Sequence, residues 1–240
     1  MTDAALKDLS VPGTLRVGIN LGNSLLVTGT ADNGDPQGVA PDMAAALADH
    51  LGVAVQYVTF ATPGEVADAG DRDEWDIGLI AVEPKRAEKI TFSAAYVEID
   101  ATYLVPGDSP FQTVEDVDRP GVTIATVDRA AYDLYLTRTL QHAELRRVKG
   151  RPNAFEVFVA DKLDALAGLA PALKRNAANL DGSRVLDGRY TSVQQAFGTR
   201  PANTALIPVI ADFIADAKST GLVAELIDRH GVSGKLNVAG

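Results

Sequence analysis

Trp75-Asp76-Ile77-Gly78-Leu79-Ile80-Ala81-Val82-Glu83-Pro84-Lys85-Arg86-Ala87-Glu88-Lys89-Ile90-Thr91-Phe92-Ser93-Ala94-Ala95-Tyr96 is the stretch whose reading decides the fold. Its opening, Trp75 to Ile80, reads as a buried strand of the kind that parallel sheets contain. Pro84 follows it, and a short charged segment carries Arg86.

Working outward, extended and helical signals alternate along the chain, which predicts βαβ units and mainly parallel sheets. On the N-terminal side, Leu15 to Ile19 reads as the first strand and Asn20 to Gly38 as a polar, Gly-rich loop. Pro41 suits a first helical turn, and Met43, Ala46, Leu47 and Leu51 form a stripe at helical spacing that stops at Gly52. Val53 to Phe60 alternates as a strand, and Thr62 to Ala69 predicts a short helix.

On the C-terminal side, Tyr96 to Val105 is extended and runs into Pro106-Gly107-Asp108-Ser109-Pro110, a cluster of turn formers that fits a domain crossing. A second α/β series follows, with strands at Val122–Thr126, Leu145–Val148 and Leu163–Ala167. Its helices are placed at Arg129–Leu140, Asn153–Ala160 and Ala172–Ala178. Ser192 to Gly198 reads as a returning strand, and Thr204 to His230 as one long or two shorter terminal helices. The expected architecture is therefore α/β and two-lobed. Lobe one is residues 1–100 and 197–240, lobe two is 101–196, and two crossing strands join them.

Composition narrows the function. A net charge of −10 repels phosphate backbones and anionic lipid, so neither nucleic acid nor a membrane surface is an expected partner. The longest apolar stretch, Ile77 to Val82, is far below the ~20 residues of a spanning helix. There is no cysteine, which removes thiol nucleophiles and thiolate metal sites. His50, His142 and His230 are scattered surface positions. No metal, cofactor or catalytic group is expected, since H-E-x-x-H, G-x-S-x-G, S-x-x-K and Walker A patterns are missing. The start, Met1 to Asp8, lacks the basic and apolar regions of a secretory signal, which leaves a cytoplasmic chain or one read without its export signal.

The quoted stretch resembles the signature of the family 3 extracellular solute-binding proteins, the amino-acid-binding class that serves ABC transporters. In that family an aromatic-Asp-apolar strand leads to a Thr-Pro-x-Arg turn and then to Phe-Ser-x-x-Tyr. The likeness extends to Thr14–Gly18, Gly38–Gly52, Gly121–Leu140 and Lys162–Ala165. It implies a monomeric, periplasmic, type II binding-protein fold that closes around a small carboxylate-bearing solute and presents it to a permease. It also implies that the residue at Arg86 holds the ligand carboxylate. A guanidinium donates two parallel hydrogen bonds to such a group, a geometry an ammonium cannot match. The alternative for Arg86 is a surface pair with Glu83 or Glu88.

Two departures bear on the ligand. The segment from Asp76 to Arg86 is shorter than the family pattern, and Ile80-Ala81-Val82 replaces the hydroxyl residues that normally assist the arginine. Shortly after Asp164-Ala165, Leu169 stands where an ammonium-accepting acid is usual. Asp128 is a candidate substitute, or else an N-cap for the helix starting at Arg129. Backbone N–H groups of Arg129 and Ala130 at that helix start would form an anion-binding surface, with Tyr132 in the first turn either beside it or in the core. Asn20, Asn23 and Ser24 lie beyond a parallel strand's C-terminal end, where open sheets place ligands, or else satisfy turn backbone. Gln194 and Gln195 fall in the return crossing, where alternation aims one of them at the ligand. With Ala81, these complete the expected contact set. An enzyme of the cyclohexadienyl dehydratase type, with Glu83 as its acid, and a soluble metabolite-sensing module are the competing functions.

Overall fold

The structure is a computed structural model that describes residues 2–240. It begins with α1 (Thr2–Ala5), followed by β1 (Thr14–Asn20), a small antiparallel pair β2 (Gly29–Thr30) and β3 (Pro36–Gln37), then α2 (Val39–Leu51). Next come β4 (Ala54–Phe60), α3 (Pro63–Asp71), β5 (Ile77–Ala81), α4 (Pro84–Ala87), β6 (Thr91–Phe92) and β7 (Val97–Pro106). The middle of the chain supplies β8 (Thr123–Val127), α5 (Ala131–Thr139), β9 (Glu144–Val148), α6 (Ala154–Ala160), β10 (Ala165–Leu169), α7 (Ala170–Ala178) and β11 (Ser183–Val185). It ends with β12 (Thr191–Thr199), α8 (Leu206–Ser219), α9 (Leu222–Arg229) and β13 (Asn237–Val238). The mixed α/β fold is the expected one.

Two compact units emerge, one made of the chain up to Glu98 together with Gln194–Gly240, the other of Ile99–Val193. Gln194 and Gln195 thus belong to the first unit and not to the second. In that unit β1 is flanked by β4 and β5, both parallel to it, and β12 closes on β5 antiparallel. In the second unit β8 is flanked by β9 and β10 in parallel, and β7 closes on β10 antiparallel. In each unit three parallel strands are therefore followed by an antiparallel strand from a crossing segment, and the short β6 pairs with β12, while β11 and β13 pair with β7.

The signature residues hold the first unit. Trp75 is fully buried and its indole N–H donates to Val66 O at 2.8 Å. Its ring occupies a slot lined by glycines: an added Cβ would stand 2.7 Å from the indole at Gly18, 2.6 Å at Gly70 and 3.2 Å at Gly78. Asp76, also fully buried, accepts from Ser10 N (3.1 Å), Arg16 N (2.9 Å) and Arg16 Nη2 (3.0 Å), while Thr199 Oγ1 donates to its backbone carbonyl at 2.8 Å. One residue ties the N-terminal segment, β1 and β12 to the start of β5.

Several expectations shift. The loop from Asn20 to Gly38 contains the β2–β3 pair. The helix placed from Arg129 begins at Ala131, because Arg129 sits at φ 59°, outside helical space. Asp128 is not its N-cap: Ala130 occupies that position without a side-chain cap, and Asp128 instead pairs with Lys149 Nζ at 3.2 Å. The strand placed at Leu163–Ala167 lies at Ala165–Leu169. Of the two readings for the C-terminal helical segment, two shorter helices is the one observed, divided by Gly221 at φ 83°. The short strands β6, β11 and β13 were not expected, since so few residues carry no periodicity of their own.

Loop anchors in the second unit are charged. Asp118 accepts from the backbone N–H groups of Gln141, His142 and Ala143 at 2.8–2.9 Å. Partial burial works against its ionisation, but those donors hold its pKa below the usual carboxylate value.

Two outcomes test these anchors. Gly70→Ala forces a methyl into the Trp75 ring and lowers unfolding free energy in urea by about 1–3 kcal/mol. The lowered carboxyl of Asp118 contributes stability above its unfolded pKa and loses it as pH falls through the folded value. Asp118→Asn should therefore lower stability at pH 7 and flatten the decline of stability on acidification below pH 4, followed by chemical denaturation across pH.

Candidate functional site

In the first unit, β5 ends at Ala81 and α4 begins two residues after Val82, with Glu83 as its N-cap. The Glu83 carboxylate accepts from Lys85 N at 2.9 Å, and the Arg86 backbone N–H donates to Glu83 O at 2.9 Å. This tight turn folds the Arg86 side chain back under the strand end, where Nη1 donates to Ala81 O at 2.8 Å. Arg86 is only 6% exposed and Glu83 2%, so neither is an exposed surface group. The guanidinium is thus buried and held at the C-terminal end of a parallel strand, the end at which open α/β sheets place ligands.

The other first-unit candidates separate into two groups. Asn20 Oδ1 accepts from Gly22 N at 3.0 Å and Asn23 Oδ1 from Leu25 N at 3.1 Å, so both amide oxygens satisfy their own turn. Ser24 is exposed beside them. Gln194 and Gln195, by contrast, stand on β12 at the same end as Arg86. The Gln194 amide donates to Glu98 Oε2 at 2.6 Å, and Gln195, opposite Ala81 in the ladder, is 6% exposed. Strand pairing therefore gathers Ala81, Arg86, Gln194 and Gln195 at one end of the sheet.

In the second unit, the segment between β8 and α5 carries Asp128, Arg129, Ala130 and Tyr132. The two N–H groups expected to be open are occupied: Arg129 N donates to Asp133 Oδ2 at 2.9 Å and Ala130 N to Val127 O at 3.1 Å. The predicted anion surface is therefore not made by those two groups. The reason is the left-handed turn at Arg129, which directs its N–H into the capping carboxylate. Tyr132 is half-buried against the cluster of Tyr103, Leu136 and Ala167. Burial pushes its phenol pKa upward.

Asp133 was not singled out in the sequence, where its place between Tyr132 and Leu134 reads as an ordinary helix position. It is 1% exposed, holds Arg129 N, and pairs with Arg147 Nε at 3.1 Å. Burial raises its carboxyl pKa, against the lowering effects of Arg129 N and Arg147. The spacing Arg129–Asp133 was the available signal. Among the described residues no group of acidic or histidine side chains is arranged to hold a metal.

Residues 15–233 match the family model described as bacterial extracellular solute-binding proteins, family 3. This chain belongs to that family. Among solved structures, an ancestral amino acid-binding protein described as a precursor of cyclohexadienyl dehydratase is 25% identical, with 95% of this chain and 97% of that one covered and a TM-score of 0.75. An amino acid ABC transporter substrate-binding protein from Streptococcus pneumoniae bound to L-arginine shares the fold at 21% identity, covering 98% and 99% of the two chains with a TM-score of 0.76. A curated relative, cyclohexadienyl dehydratase of Pseudomonas aeruginosa, is 27% identical over 139 residues. The match spans 56% of this chain and about half of that protein, 52%. Family 3 members are extracellular binding proteins, so binding of a small solute is the activity the family assigns.

The Arg129 turn is directly testable. A non-glycine residue in left-handed space costs roughly 1 kcal/mol, so Arg129→Gly should leave stability unchanged or raise it slightly. Asp133→Ala strips the turn's anchor and leaves Arg147 without its buried partner, lowering stability by about 2–4 kcal/mol in thermal or chemical unfolding.

Proposed function

We propose that this chain binds a small carboxylate-bearing solute, takes the carboxylate on Arg86, and delivers it from the periplasm to an ABC transporter permease. The observation that carries the reading is the buried, backbone-anchored guanidinium at the end of β5. A guanidinium is a planar fork of five N–H donors, so one whose Nη1 is held by Ala81 O has the geometry to take a carboxylate as well. Closure of the two units on the solute belongs to the same proposal. It would stabilise the closed form by the difference in affinity between open and closed states.

The dehydratase relative raises a second reading, in which a cleft acid eliminates water from a carboxylated ring. The nearest acid, Glu83, is spent as the N-cap of α4, with its carboxylate on Lys85 N, and this favours binding over chemistry.

A thermal-shift screen across amino, hydroxy, keto and aromatic acids tests the proposal. A ligand at 100-fold over its Kd adds ~2.7 kcal/mol, or roughly 5–10 °C for a chain of this size. Arg86→Ala should abolish the shift for every hit, and an undiminished shift would move the site elsewhere. Sustained turnover of prephenate or arogenate that is lost in Glu83→Gln would replace binding with catalysis.

A further inference from the structure

Strand register sets three side chains in a row at the ligand end of the first unit's sheet. Gln195 on β12 is the ladder partner of Ala81 on β5. Ile19 on β1 is the partner of Leu79 on β5 in parallel register, and the β1–β4 ladder continues past β1 with Leu21 N donating to Phe60 O at 2.8 Å. One pleat beyond the Ile19–Leu79 pair stand Leu21 and Ala81. Leu21, in the turn directly after β1, therefore stands beside the end of β5, where Ala81 faces Gln195 on β12. With strands roughly 4.8 Å apart, the row spans about 10 Å from the leucine to the glutamine.

The chemistry of this row is specific. Five large apolar side chains are exposed among the described residues, and two of them, Leu21 at 45% and Val82 at 38%, stand at this edge. A leucine left open at the end of a parallel strand offers cover for an apolar group. At the other end, Gln195 is 6% exposed and stands opposite Ala81 in the ladder. A side-chain amide there can exchange water for a hydrogen-bonding ligand group. Between the two, Ala81 leaves space above the strand that a larger side chain would fill.

Nearby carboxylates are already engaged. In the first unit Glu83 caps α4 and Glu98 takes the Gln194 amide. An ammonium on the ligand would meet the neutral amide of Gln195 in place of an anion, and desolvating it there is costly.

We infer that the solute is a carboxylate whose C2 bears an uncharged hydroxyl or carbonyl and whose remainder is apolar. Gln195 bonds the C2 group, and Leu21 and Ala81 underlie the apolar part. The inference rests on the carboxylate reading above and adds the class of carboxylate.

The test is calorimetric titration of the purified chain with 3-phenyllactate, L-phenylalanine, 3-phenylpropanoate and lactate. The first three share a carboxylate and a ring and differ only in hydroxyl, ammonium or hydrogen at C2. Phenyllactate should bind at least about tenfold tighter than phenylalanine, and tighter than phenylpropanoate, a difference of one decade in Kd. Gln195→Leu should erase the advantage of phenyllactate over phenylpropanoate, and Gln195→Glu should shift preference toward phenylalanine. Leu21→Asn should weaken phenyllactate several-fold without weakening lactate.

Phenylalanine binding as tightly as phenyllactate overturns the inference, as does an unchanged preference in both Gln195 variants. If carboxylates from the screen bind but all carry an ammonium, this inference falls alone. If no carboxylate binds at all, the proposed function falls with it.

Discussion

The buried carboxylate of Asp76 is the constraint from which the first unit is assembled. Removing a charge from water is expensive, and the cost is met only where donors converge with good geometry. Ser10 N, Arg16 N and the Arg16 guanidinium converge on Asp76, while Thr199 grips its carbonyl from the returning strand. The N-terminal segment, β1 and β12 are therefore registered against one residue of the strand between them. Breaking such a pair leaves an uncompensated buried charge, so β1, β5 and β12 are held in register together. That register decides which side chains stand at the strand ends where Arg86 and Gln195 lie.

Arg86 shows how local and tertiary forces combine at that end. Pro84 and the Glu83 cap start a helix of one turn, too short to be stable alone. It persists because the turn returns Arg86 to Ala81 O and because β5 is fully buried beneath it. The guanidinium is thus fixed by backbone on one side, which would lower the ordering cost of the proposed carboxylate contact. In the second unit an unlike device serves the β8–α5 turn. There, Asp133 stabilises a backbone conformation that an arginine would otherwise avoid.

Much of this was legible in the chain. Buried strands announced themselves as apolar runs, and the helix from Val39 to Leu51 was fixed by its stripe and by Gly52 in left-handed space. Trp75 and Asp76 marked a buried strand, although the glycine slot around the indole could not be read, since Gly18, Gly70 and Gly78 meet only in three dimensions. The helix start at Ala131 was misplaced because nothing local signals a positive φ at an arginine. The same holds for the site. Asn20 and Asn23 carry residue types that suit either a ligand or a turn, and their partners show the turn use. Asp133 passed unnoticed because its importance comes from Arg147 across the sheet edge and from a turn four residues earlier.

The first unit is built from both ends of the chain, and β12 is synthesised long after its ladder partner β5. Until residue 199 has left the ribosome, β5 has no partner on one side, and the Thr199 contact to Asp76 does not exist. The second unit, contiguous in sequence, has all of its strands by then. Nascent chains thus carry a bare, highly apolar strand edge between the synthesis of β5 and that of β12, an invitation to misassociate that a chaperone or rapid release would have to answer.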